Sequence, residues 1–249
     1  MARSKSSRWR LRLLAAAVLG LVLDATAAMA GEPALEPPSG AAPAKPYPWP
    51  KPTAAELKLL RGAIDIHVHL DPDSFGPHST QQARALDVLA MARRAKSLGM
   101  RGFVIKQHYD QSAQLAYVTR QSVPGIEVFG GVGQNFPVGG LNPAAVFHMA
   151  EVKGGYGRIV WLPTWDSENH VKRDAATRHL APTRPYISVA RDGRLLPEAL
   201  AVLQAVKEAR TRDSQASLLL ETGHLSAEEA LLVVREANRL GLPHVVVTH

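Results

Sequence analysis

The chain of 249 residues contains no cysteine. That excludes disulfides, thiolate metal ligands and a lipid-modified N-terminal cysteine, so any bound metal has to be held by nitrogen and oxygen. Aromatic residues make up only 6% of the chain, and no basic stripe is interleaved with them. A nucleic-acid partner is therefore not expected. Neither common phosphate-binding signature is present. Gly131-Val132-Gly133 is followed by Phe136 where a dinucleotide loop needs its third glycine, and no glycine-rich loop ends in the lysine of a nucleotide cradle. No cofactor-binding loop is read. Long apolar runs are also missing, apart from Leu13 to Leu23, which is too short to span a bilayer comfortably.

That run belongs to a leader. Arg3, Lys5, Arg8, Arg10 and Arg12 precede it, and Ala28-Met29-Ala30 follows with the small residues a signal peptidase needs. Residues 1–30 read as a secretory signal cleaved before Gly31, placing the mature chain in the periplasm or outside the cell with no stable membrane anchor. Trp9 separates Arg8 from Arg10, so there is no twin arginine. The formal charge of +7 comes largely from this leader. Without its five basic residues and Asp24, 24 positive and 21 negative charges remain, a net of +3. Residues 31–52 are rich in proline and alanine and read as an extended lead-in. Thr53-Ala54-Ala55-Glu56 is a capping box, where the folded domain, residues 53–249, begins.

From there strands and helices alternate. Apolar runs predict strands at Ala63–Asp71, Arg101–His108, Ile126–Gly131, Arg158–Pro163, Ala216–Glu221 and His244–His249. Helices are expected between them. Ser79 or Thr80 caps one that ends at Leu98-Gly99, another covers about Gln111–Arg120, and Asn142-Pro143 opens a third. Pro197 starts a further helix, and Ser226-Ala227-Glu228-Glu229 is a second capping box. Residues 164–196 form a long connection with a hairpin turn at Asp192-Gly193. Such alternation implies a parallel sheet, either doubly wound or closed as a barrel.

The histidines carry the chemistry. His67 and His69 stand two apart at the end of the first strand, so they project to the same face and offer half of a nitrogen-ligand metal site. His108 follows the second strand, His224 the fifth, and His249 ends the sixth. Barrels collect their active sites at strand C-termini. His244, at a strand start, and His148, on a helix, read as structural; His78, His170 and His179 lie in loops. Lys106 is the other anomaly. It interrupts an apolar strand on the face of His108, and lysine is rarely buried unless paired or modified. It could be carbamylated, could polarise a substrate carbonyl, or could pair with Glu221.

The His67-x-His69 pair, His224 in Glu221-Thr222-Gly223-His224 and His249 in Val247-Thr248-His249 resemble the amidohydrolase superfamily of metal-dependent (β/α)8 hydrolases. The runs Val104–His108, Gly139–Pro143, Trp161–Thr164 and Thr222–Ser226 are similar to an uncharacterised amidohydrolase-related branch of it. The resemblance covers about residues 55–249. It implies an α/β TIM-like barrel, with His67 and His69 on one divalent transition metal, zinc foremost. His224 and His249 would hold a second ion or complete a single-ion site. Lys106 and His108, read from their places at the end of the second strand, are the catalytic candidates. The implied activity is hydrolysis of a C–N or C–O bond in an amide, lactone or ester, with a small-molecule substrate and possible oligomers. Two features depart from the superfamily: its bridging lysine comes from strand four, not strand two, and its general base is an aspartate after strand eight. Six strands are counted here, so a barrel of this kind is expected to continue by roughly 50 residues past His249, with an Asp or Glu after a short strand.

A phosphoesterase of the polymerase-and-histidinol-phosphatase type also starts with His-x-His. It needs further ligands soon after that pair, and Asp71, Asp73 and His78 are available. A non-catalytic metal-binding envelope protein is the third reading. Asp166, Glu168 and His170, after the fourth strand, read as ordinary polar loop residues.

Overall fold

A computed structural model describes residues 50–73, 84–177 and 184–248. The leader, most of the lead-in, and His78, Ser79, Thr80, His179 and His249 lie outside those residues. Among the described residues no helix is long and apolar enough to cross a membrane.

Six strands form one parallel sheet, curled into a half-barrel. They are β1 (Ile64–His69), β2 (Gly102–Lys106), β3 (Glu127–Gly133), β4 (Gly157–Trp161), β7 (Leu219–Glu221) and β8 (Val245–Val246), neighbouring one another in chain order. The Asp192-Gly193 turn joins β5 (Ala190–Arg191) to β6 (Arg194–Leu195) as a separate antiparallel pair, with both turn residues at positive φ.

Seven α-helices are described: α1 (Ala54–Leu60), α2 (Val88–Ser97), α3 (Ala113–Ser122), α4 (Pro143–Ala150), α5 (Glu168–Thr177), α6 (Pro197–Glu208) and α7 (Ala227–Leu240). Their ends follow local chemistry. Thr53 and Glu56 close a capping box on α1, as Ser226 and Glu229 do on α7. Asn142 caps α4 by accepting from the Ala144 N–H at 3.0 Å, with Pro143 at the first helical position. Gly99 and Gly241 end α2 and α7 in the left-handed conformation that glycine adopts without penalty.

Two expectations change. The helix after β1 starts at Val88 under an Asp87 cap, whose carboxylate accepts from the Ala90 N–H at 2.7 Å. The long connection after β4 also holds α5, a polar helix that buries only Val171 and Ala175.

The faces of the sheet differ. Phe103, Ile105 and Val128 pack outward with residues of α2 and α3. Val132, Val160 and Leu220 do the same with α4, α6 and α7. The inner face carries a small apolar layer of Val104, Ile159 and Trp161, joined by Phe129 and Leu219. Above it, toward the strand C-termini, the inner face turns polar.

Candidate metal centre

Strand alternation puts Lys106 of β2, Trp161 of β4 and Glu221 of β7 on the inner face at its C-terminal end, and all three are fully buried. Trp161 has room because β3 is glycine-rich there. A Cβ on Gly131 would stand 2.4 Å from the Trp161 ring and 2.4 Å from the Ile159 carbonyl oxygen. The Trp161 indole N–H donates to Glu221 Oε2 at 2.7 Å. The same carboxylate oxygen faces His67 Nδ1 at 3.3 Å. The Lys106 ammonium lies 4.6 Å over the Trp161 ring and donates to the Gln107 carbonyl at 2.8 Å. The expected Lys106–Glu221 contact is thus one of field, not of hydrogen bonding. Burial pulls the Lys106 ammonium down to about 7, against the opposing pull of Asp73 and Glu221.

Beside this cluster stand His69, Asp73 and His108, whose ligand atoms all lie within 4.8 Å of one another. Among the described residues this is the group of three or more that could hold a metal ion. His108 Nδ1 faces Asp73 Oδ2 at 2.7 Å, and the His108 N–H donates to Asp73 Oδ1 at 3.2 Å. Arg84 adds an ion pair to Asp73 at 3.3 Å. Burial alone would raise the Asp73 carboxyl, but His108 and Arg84 overcome it and hold it below the usual range. The His69 and His108 rings stack at 4.6 Å. Burial, reinforced by His108, Lys106, His67 and Arg84, takes His69 down to about 3. Burial also lowers His108, partly offset by its bond to Asp73. Both imidazoles are therefore neutral near pH 7, the form that ligates a metal.

The group fits a cation on two further observations. His69 Nδ1 is buried with no hydrogen-bond partner among the described residues. Buried polar atoms left so are costly and uncommon. The donors are two imidazoles and a carboxylate, a set suited to zinc, iron or manganese.

The surrounding loops are held firmly. The Asn135 side chain donates to the His108 carbonyl at 2.6 Å and to Thr164 Oγ1 at 2.9 Å, tying the loop after β2 to that after β4. Asp166, expected as an ordinary loop residue, accepts from the Phe136 N–H at 2.9 Å and from Arg184 at 2.7 Å. Tyr109 beside them is raised to about 12 by burial and by Asp166.

The expected site residues thus fall into two places. His67 and His69 lie side by side, ring centroids 5.1 Å apart. His108, expected as a catalytic residue, joins His69 as a candidate ligand. His224 stands with His170 instead, their Nδ1 atoms 3.1 Å apart. His249 lies outside the described residues. In the sequence Asp73 is one of two carboxylates, with Asp71, that closely follow His-x-His. Its pairing with His108 spans 35 residues, and no local pattern announces it.

The chain belongs to a family of unknown function, DUF6282, whose model matches residues 62–249. No curated protein and no solved structure matches it.

Proposed function

We propose that this member of the DUF6282 family is a metal-dependent hydrolase that activates water to cleave a C–N or C–O bond in an amide, lactone or ester. The observation that carries the reading is the His69–Asp73–His108 group at strand C-termini of a curled parallel sheet, with a buried lysine beside it. Strand C-termini are where α/β barrels keep their active sites. The reading includes an exported mature chain beginning at Gly31, zinc as the metal, and a barrel completed to eight strands. The leader's residue pattern, the donor set and the curl of the sheet are their respective supports.

His69, Asp73 and His108 would hold the ion. A divalent ion supplies Lewis acidity there, polarising a carbonyl and acidifying water near neutral pH. The chain's own groups do the rest. Asp73 fixes the ring orientation and tautomer of His108 through its Nδ1. Glu221 does the same for His67. Lys106 presents a buried amine with N–H donors beyond the one used on Gln107, placed to hold the oxygen of a scissile carbonyl or its developing negative charge. The Asn135 and Asp166 network keeps the loops rigid, so these groups need not reorganise.

The test is turnover by the full mature chain on ester, lactone, amide and phosphoester panels, metal-depleted and zinc-replete. The reading expects zinc-dependent hydrolysis of at least one carbonyl class and its loss in Asp73→Asn. Turnover of phosphoesters alone would favour the phosphoesterase reading, which Asp73 supports by supplying a carboxylate just after His-x-His. Bound metal without turnover on any panel would favour a metal-binding envelope protein.

A further inference from the structure

A second polar feature lies in the N-terminal halves of β3 and β4, away from His69, Asp73 and His108. Strand β4 bulges there. Gly130 pairs with Gly157 and Gly131 with Ile159, so Arg158 is an extra residue with no partner on β3. Ile159 belongs to the inner apolar layer, and regular alternation would turn Arg158 away from that layer. A bulge re-aims such a side chain. The Arg158 guanidinium stands over the ring of Phe129, a member of the same layer, 5.8 Å from its centroid.

A second guanidinium meets the same ring. Arg120, in the last turn of α3, lies 5.5 Å from the Phe129 centroid and 3.9 Å from that of Tyr156, just before β4. Tyr156 stacks on Tyr117 at 6.2 Å, and the Lys153 ammonium lies 6.0 Å over Tyr117. Cations over aromatic faces are held there by the ring quadrupole, but the rings do not neutralise them. The carboxylate closest along β3, Glu127, is taken by Arg101, whose Nε and Nη2 donate to its two oxygens at 3.0 and 3.4 Å. Burial lowers the Arg158 guanidinium from its usual range, with no carboxylate pulling the other way. Its Nε is buried with no hydrogen-bond partner among the described residues. Such an atom calls for an acceptor.

We propose that Arg158 and Arg120, set on the rings of Phe129 and Tyr156, bind the phosphate group of a small molecule at the N-terminal end of the sheet. Guanidinium forks present paired N–H donors that match phosphate oxygens. A phosphate monoester carries about −1.5 to −2 charges near pH 7, close to what two arginines neutralise. The ring contacts hold both guanidiniums ready, so less side-chain freedom is lost on binding. The site shares no residue with the metal centre and does not depend on the hydrolase reading.

Calorimetric titration of the zinc-replete full mature chain with inorganic phosphate tests this. The expected result is a phosphate site whose affinity falls about tenfold or more in Arg158→Gln and in Arg120→Gln, because charge-assisted hydrogen bonds are the stronger kind. Asp73→Asn should bind phosphate as the wild type does. Arg158→Lys keeps the positive charge but loses the fork, so it serves as the control of folding and should bind between wild type and Arg158→Gln. Phosphate binding that Asp73→Asn abolishes and both glutamine variants keep would assign the anion to the metal centre, overturning this site and leaving the hydrolase reading standing. No binding by the wild type, or tighter binding of succinate than of phosphate, would overturn it as well.

Discussion

The two faces of the curled sheet are built by opposite rules. The outer face of β2 presents Phe103 and Ile105, both fully buried against apolar neighbours from helices. The inner face of the same strand presents Val104 and then Lys106, equally buried but among Trp161 and Glu221. Burying apolar surface favours folding, whereas burying an amine and a carboxylate opposes it. The outer face therefore accounts for the fold, and the polar end of the inner face has no comparable stabilising role. Polar groups placed at such expense point to chemistry.

Phe103→Ala should have the largest effect on stability. Removing a fully buried phenyl from the outer face is expected to lower unfolding free energy by about 3–5 kcal/mol, read by urea denaturation. A loss below about 1 kcal/mol would mean that the outer layer is not the core described here. Gly131→Ala comes next, although it lies on the inner side. Its methyl would collide with Trp161 and with the backbone at Ile159, and overpacking of this kind costs about 1–3 kcal/mol. Wild-type stability there would show that the Trp161 position is not constrained.

Glu221→Gln probes the polar end itself. Glutamine still accepts from the Trp161 indole but removes the charge facing His67. His67 is not one of the three ligands but packs against His69, so the expected loss of metal affinity is at the lower end of the about 10- to 100-fold range seen when a contact to a ligand is removed, measurable by chelator competition. Unchanged affinity would detach the Glu221–His67 pair from the metal centre. Lys106→Met should perturb stability least, because the amine makes one hydrogen bond, to the Gln107 carbonyl, and no direct ion pair among the described residues, and burial already disfavours its charged form. Its activity should nevertheless vanish. If the folded variant remains active, Lys106 leaves the catalytic set.

Much of the outer face was legible in the sequence, since it depends on local pattern. The six strands are where the apolar runs put them, to within a few residues. The boxes at Thr53 and Ser226 and the cap at Asn142 hold as read. Helix α5 was missed because Glu-Asn-His-Val-Lys-Arg-Asp offers one apolar residue in seven, and its buried face is only Val171 and Ala175. Its one local sign was Glu168 four residues before Lys172, which do form an ion pair. Without that helix His170 read as a loop residue, and its contact with His224, 54 residues away, could not be anticipated. The candidate centre was half legible. His-x-His and the strand-end position of His108 are sequence facts, whereas the grouping of His69 with His108, the recruitment of Asp73 and the indole N–H on Glu221 arise from sheet curl and loop packing.

The central claim is that the polar end of the inner face holds a metal ion. Anomalous diffraction at the zinc edge, from crystals of zinc-replete protein, tests it most directly. The account predicts a peak among His69, Asp73 and His108 that disappears in Asp73→Ala. Fully loaded crystals with no anomalous density at that position would contradict it.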